Sequence, residues 1–87
     1  MIKTTLDYIS EIFEIEEQMC ELNDRLYQTL VEAGKQYEDE EIVYCVQAIE
    51  SSWFFMTIGQ NVENAAMIYS EATKKLMELL EIKIGIA

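Results

Sequence analysis

Residues 5–34, with the sequence TLDYISEIFEIEEQMCELNDRLYQTLVEAG, contain the pattern that decides the fold class. Large apolar side chains recur there at alternating spacings of four and three residues, which is the period of one face of an α-helix. The pattern therefore predicts one long amphipathic helix over residues 5–33. This first apolar row consists of Tyr8, Ile12, Ile15, Met19, Leu22 and Leu26.

A second apolar row runs along the same helix, about a quarter-turn or more from the first when each residue turns by 100°. It consists of Leu6, Ile9, Phe13, Cys20, Tyr27 and Val31. Together the rows cover about half of the helix circumference, which is wider than the seam of a simple coiled coil, so we expect two packing neighbours. Glu16 and Asn23 interrupt the second row. They either flank a core and reach solvent or mark the register of a partner contact.

Residues at both ends set the limits of this helix. Thr4 or Thr5 can cap its first turn, and Asp7 places a negative charge where the helix dipole favours one. Gly34 is predicted to end the helix in the left-handed conformation, with Lys35 just beyond it.

Two further helices are predicted downstream, over residues 40–58 and 61–82. Gly59 separates them, and Asn61 can cap the second one. The predicted fold class is therefore all-α, a small antiparallel bundle of three helices in a single acidic domain spanning residues 1–87, assembling as a dimer. A continuous helix through Gly59, which would give a long two-helix hairpin, is the alternative, because a glycine inside a helix costs only about 1 kcal/mol.

The charge of the chain is strongly unbalanced. Seventeen acidic residues stand against six basic ones, giving a net charge of -11, although 51% of the residues are hydrophobic. Residues 1–33 carry -6 of this charge, residues 34–58 carry -4 and residues 59–87 carry -1. Such a surface repels nucleic acid and anionic membranes, so neither is expected as a direct partner. Cys20 and Cys45 are predicted to be reduced and core-lining, and without a signal-peptide pattern the expected location is cytoplasmic.

The residue types argue against an enzyme. The chain has no histidine, so it lacks His-dependent nucleophile pairs and the usual zinc and di-iron sites. Its three glycines are scattered and form no phosphate-binding loop, and residues 38–41 lack the ligand spacing of an EF-hand. We expect no catalytic residue, no metal site and no cofactor.

An acidic edge on the first helix favours a binding function. Its four acids in line are Asp7, Glu11, Glu14 and Glu21, spread over about 21 Å. Their charge density is well below that of duplex DNA, so we expect competition for a basic groove rather than faithful mimicry of a duplex. A solvated face that keeps the protein soluble is the alternative. Residues 38–41 also fit a helix N-terminus, where carboxylates complement free amides. The predicted partner-binding acidic face consists of Asp7, Glu11, Glu14, Glu17, Glu21, Glu38, Asp39, Glu40 and Glu41.

Aromatic side chains of the second helix point in more directions than one core can accommodate. Trp53, Phe54 and Phe55 are consecutive, and neighbouring side chains on a helix diverge by about 100°. Because such aromatics dominate interface energetics, we expect self-association or an aromatic anchor on a partner. The predicted oligomer or client interface consists of Tyr44, Trp53, Phe54, Phe55, Ile58 and Tyr69.

These features predict a small non-catalytic regulator or inhibitor of the phage or mobile-element type. It would engage a basic surface of a protein partner, including one that binds nucleic acid, and would form a homodimer. The alternative is a structural or chaperone-like helical module that holds a client helix through its apolar aromatic surface.

Overall fold

The computed structural model describes residues 2–85, which form three α-helices and no strand. These are α1 (Thr5–Lys35), α2 (Glu40–Thr57) and α3 (Val62–Ile84). The all-helical prediction is confirmed, and the two-helix alternative is wrong because the chain breaks between α2 and α3. Gly59 and Asn61 both adopt left-handed backbone conformations there, with φ of 73° and 53°, which a right-handed helix cannot contain.

A capping box starts α1 at Thr4. The Asp7 N–H donates to the Thr4 hydroxyl oxygen at 3.2 Å, and the Thr4 N–H donates to the Asp7 carboxylate at 2.9 Å. The Thr4 hydroxyl also donates to the Asp7 carboxylate at 3.0 Å. The bond from the Thr4 backbone N–H, followed by this one from its hydroxyl, lowers the pKa of Asp7. Of the two predicted caps, Thr4 is the one used.

The predicted role of Gly34 is wrong. The helix continues to Lys35, and its cap Gln36 is right-handed with φ of -74°. Gly34 is buried inside the last turn of α1, where an added Cβ would overlap Cγ2 of Val46. The absence of a side chain at Gly34 lets α1 approach α2 closely, so close approach and not a left-handed turn accounts for this glycine.

The core lies mainly between α2 and α3, with the last turns of α1 packed on one side. Ile42, Ile49 and Leu76 are fully buried there. The remaining buried members of this cluster are Leu30, Cys45, Val46 and Ala72. The buried residues of α2 recur at spacings of three and four, and Ala72 and Leu76 on α3 are four apart, so each of these helices contributes one face to the core.

The first part of α1 extends beyond this core. Every residue from Thr5 to Leu26 is exposed, and packing begins at Tyr27. These 22 residues are called the projecting segment. The expectation of two packing neighbours is therefore wrong for most of α1 within this chain. Cys20 is also exposed, contrary to its predicted place in a core, whereas Cys45 is buried as predicted.

The two shorter helices begin differently from each other. Asp39 caps α2 by accepting a hydrogen bond from the Glu41 N–H at 3.0 Å, as the acidic cluster predicts. Asn61 precedes α3 in a left-handed conformation and its side chain caps no backbone N–H of the helix. The side-chain oxygen of Asn61 instead accepts a hydrogen bond from the Asn64 side-chain amide at 3.1 Å.

Candidate interaction surfaces

The projecting segment carries an acidic edge beside its first apolar row. Asp7, Glu11, Glu14 and Glu21 are all exposed, and Gln18 and Arg25 lie in line with them. Taking 100° per residue, this edge lies about a quarter-turn from the first apolar row. A partner lying along the segment would therefore meet apolar side chains and carboxylates together.

A lysine moderates the charge at the tip of this edge. The Lys3 ammonium lies 2.6 Å from a carboxylate oxygen of Glu11 and 5.4 Å from the centre of the Tyr8 ring. Both contacts are exposed, so they contribute little to the free energy of folding. They orient Glu11 toward the side of the segment that carries Tyr8.

The predicted acidic face divides into two separate groups. Glu17 lies on the outer side of the projecting segment, whereas Glu38–Glu41 follow the opposite end of α1. From Glu21 to Lys35 the helix advances by about 21 Å, so the structure does not bring the two groups together. Within the second group, Asp39 serves as the cap of α2 and its carboxylate lies 3.4 Å from the Lys83 ammonium. The bond from the Glu41 N–H is the main cause that lowers the pKa of Asp39.

Trp53 and Tyr69 belong to an internal aromatic cluster. The Trp53 ring stacks on Tyr27 with centroids 4.6 Å apart, and its centroid lies 5.9 Å from that of Tyr69. This cluster joins all three helices where α1 first meets the core. Burial raises the pKa of Tyr69, and within residues 2–85 its buried hydroxyl has no hydrogen-bond partner. Trp53 and Tyr69 are partly buried and help to hold the three helices together, and their place in an interface stays a prediction.

Tyr44 and Phe55 line a groove between α2 and α3. The groove has a cavity of about 600 Å³ around Tyr44, Cys45, Ala48, Ile68 and Ala72, with charged residues at one end. A smaller cavity of about 190 Å³ continues past Ala48 and Ile68 to Phe55. Small residues form the middle of the groove and large apolar ones its walls, a shape that accepts another helix.

Phe54 and Ile58 are exposed at the end of α2, next to the break between α2 and α3. The rings of Phe54 and Phe55 meet edge to face with centroids 5.8 Å apart. The six residues of the predicted interface are therefore divided among the internal cluster, the groove and this end of α2.

The exposed first apolar row is not among the predicted interface residues. Its spacing predicts that the row packs, without indicating whether the neighbour belongs to the same chain. Leu30, which is buried, lies four residues beyond Leu26 and continues the same spacing, so spacing alone does not indicate where packing begins.

Two further findings concern the described part of the chain. Among residues 2–85, no three acidic or cysteine side chains converge in a way that could hold a metal ion. No helix in this range is both long enough and apolar enough to cross a membrane.

The chain was compared with protein-family models, with curated proteins and with solved structures, and none of these comparisons gives a match.

Proposed function

We propose that this protein is a non-catalytic regulator that binds another protein through the projecting segment of α1. Its acidic edge would engage a basic surface of the target, including one that binds nucleic acid, as phage and mobile-element inhibitors do. The single observation that supports this proposal most is the exposure of the acidic edge and the first apolar row on one segment that no other part of residues 2–85 covers.

The physical properties of the segment support a binding role. A helix exposed on all sides gains little from packing, and helices in proteins owe most of their stability to a buried face. Nine large apolar side chains of the segment are exposed, a continuous patch of the kind that marks an interaction site. The acidic edge adds electrostatic steering toward a basic partner.

The wider setting is part of the same proposal. Consecutive helices of the bundle run antiparallel, and the protein assembles as a dimer. It acts in the cytoplasm, where its two free cysteines stay reduced. Neither nucleic acid nor a membrane is a direct partner, because both are anionic.

Photo-crosslinking in cells of the source organism tests the acidic edge. A photoreactive amino acid replaces Gln28, which is exposed and lies seven residues beyond Glu21 on the same side of α1. We expect it to capture a basic protein, and the E14K/E21K variant to lose that capture while keeping its helical circular dichroism. The matched control, E63K/E78K on α3, makes the same charge change at exposed positions outside the edge. Equal capture by both variants would refute the role of the edge.

A second candidate function is a structural or chaperone-like module that holds a client helix in the groove between α2 and α3. The cavity beside Tyr44 supports it, since Tyr44 is 73% exposed and lines that cavity together with Cys45 and Ala48. A photoreactive amino acid in place of Tyr44 distinguishes the two. Capture of a helical client there, unaffected by E14K/E21K, would favour the groove over the acidic edge.

A further inference from the structure

We infer that the first apolar row of the projecting segment binds the same row of a second copy of this chain, with the two α1 helices antiparallel and centred on Glu17. This inference rests on the proposed function and deepens it. The second copy covers the apolar row, and Asp7, Glu14 and Glu21 of the acidic edge are left free for the target in both copies.

The spacing of the row suits this pairing. Apolar residues at alternating intervals of four and three form the seam of a left-handed coiled coil. When one helix is reversed against an identical one about Glu17, every apolar position of the row faces another apolar position. The resulting layers are Tyr8 with Leu26, Ile12 with Leu22, and Ile15 with Met19, each occurring twice. A two-fold dimer requires this self-complementarity.

The charges beside the seam favour the antiparallel direction. Residues that flank a coiled-coil seam determine which orientation forms. In the antiparallel register, Glu11 of each copy faces Arg25 of the other, and Gln18 meets Gln18 at the two-fold axis. Arg25 is exposed and makes no ion pair within residues 2–85 of its own chain. The pairing therefore gives two favourable ion pairs against one unfavourable contact, between the two copies of Glu16.

The parallel direction lacks these favourable pairs. In that arrangement Glu11 faces Glu16 of the other copy, twice, and Arg25 faces Leu30. Two like-charge contacts without a compensating ion pair make the parallel dimer the less stable one.

The pairing also determines where α2, α3 and the acidic edge of each copy lie in the dimer. Tyr27, Leu30 and Gly34, which pack toward α2 and α3, lie on one flank of the row, and the acidic edge lies on the other. The two-fold axis of this dimer is perpendicular to the plane that contains the two α1 helices. The same flank of the apolar row therefore lies on the same face of the dimer in both copies. Both pairs of α2 and α3 therefore lie on one face of the dimer. The two acidic edges lie on the opposite face, where they form one acidic surface twice as large as that of a single chain.

The same symmetry gives the second apolar row a neighbour. Leu6, Ile9 and Phe13 of one copy lie at the level of residues 21–28 of the other, next to the end of α2 where Phe54 and Ile58 are exposed. Each end of the dimer then becomes a bundle of four helices, three from one chain and the start of α1 from the other.

Sedimentation equilibrium with charge reversals tests the register. We expect the chain to be dimeric, and E11R or R25E each to weaken the dimer at least about tenfold by creating two like-charge contacts. The E11R/R25E double variant restores the pairs with reversed sign and should return the dissociation constant to near its original value. E17R is the matched control, since it makes the same charge change on the outer side of α1. Tighter dimerisation by E11R would overturn the inference in favour of a parallel pair, in which the new side chain faces Glu16.

Distances between spin labels provide an independent test. Nitroxide labels are attached singly at Ser10, Glu17 or Asp24 after Cys20 is replaced by serine, while Cys45 stays buried and unreactive. The antiparallel register predicts the shortest distance at Glu17. It also predicts equal, longer distances at Ser10 and Asp24, where the labels are offset by about 21 Å along the axis. In a parallel pair, identical labels lie at the same level along the axis, so equal distances at Ser10, Glu17 and Asp24 would instead show that arrangement.

Failure of this inference and failure of the proposed function give different results. A monomer at millimolar concentration would overturn self-pairing, yet capture of a basic protein at Gln28 would still support the acidic edge. Conversely, if the protein forms the antiparallel dimer but its Gln28 crosslinks are unaffected by E14K/E21K, the dimer stands and the proposed function is refuted. Replacement of Glu14 and Glu21 does not touch the seam, so the two experiments remain separate.

Discussion

Two leucines on the same helix show how differently the two parts of this molecule are built. Leu30 is 5% exposed against α2 and α3, whereas Leu22, eight residues earlier, is 58% exposed. Both lie on the apolar half of α1, although only Leu22 belongs to a row that the sequence analysis predicts to pack. The comparison teaches that apolar periodicity identifies the side of a helix that needs covering, without identifying what covers it.

Helix length accounts for the difference between the packed part and the projecting segment. A helix of 31 residues is about 46 Å long, whereas the 18 residues of α2 reach about 27 Å. The last turn of α1 lies against the middle of α2 at Val46, and Tyr27 meets Trp53 near its end. Because α2 ends at Thr57, the earlier turns of α1 have no neighbour within the chain.

The largest expected difference between the core and the projecting segment is in the free energy of amide opening, which hydrogen exchange measures. In dilute, monomeric protein we expect the amides of residues 9–26 to open with a free energy near zero, since no side chain of this segment is buried. Amides around Ile49 and Leu76 should open with the global free energy, about 5 kcal/mol or more. At high concentration, protection of residues 9–26 should rise. Equal protection of both regions at low concentration would show that the projecting segment is stabilised within one chain.

Truncation of the two leucines separates folding from association. L30A should lower the free energy of unfolding by about 2–5 kcal/mol, since it leaves a cavity in the core. L22A, the same change at an exposed site on the same helix, should alter the unfolding of the monomer by less than about 0.5 kcal/mol. Its effect should appear as weaker dimerisation. Denaturant titrations at two protein concentrations measure both effects, and a large effect of L22A on the monomer would contradict the contrast.

The smallest expected effect concerns the cap of α2 at Asp39. Its pKa is lowered in the folded protein, so its contribution to stability is present above the ordinary value of 3.8 and is lost as the pH falls through the lowered value. D39A should reduce the melting temperature at neutral pH by a few degrees, and the difference from the parent protein should shrink in acid. D39N keeps a capping oxygen without this titration. Thermal melts from neutral to acidic pH measure these differences. If the melting temperature of D39A fell further below that of the parent protein in acid, a group other than Asp39 would dominate the pH dependence of stability.

Much of the fold could be predicted from sequence because the signals are local. Thr4 and Asp39 begin helices through short-range hydrogen bonds, and Gly59 lies at a break that its conformational freedom explains. Gly34 could not be interpreted correctly from sequence. Its requirement comes from Val46 on another helix, a contact that no local pattern specifies.

The candidate surfaces were less predictable than the helices. The acidic edge follows from spacing along one helix, so the sequence locates it directly. The separation of Glu38–Glu41 from that edge depends on where α1 ends and α2 begins. The assignment of Trp53 to an internal stack and of Tyr44 to a groove depends on how α2 packs against its neighbours.

The sequence by itself determined three helices, the N-terminal caps of α1 and α2 and the one-sided charge, because each depends on residues within a few turns of one another. The tertiary structure decided which apolar side chains are buried, because burial depends on the lengths and packing of separate helices. The core formed by α2 and α3 covers the end of α1 and leaves 22 residues exposed. The helix with the most acidic residues therefore also exposes a row of apolar ones.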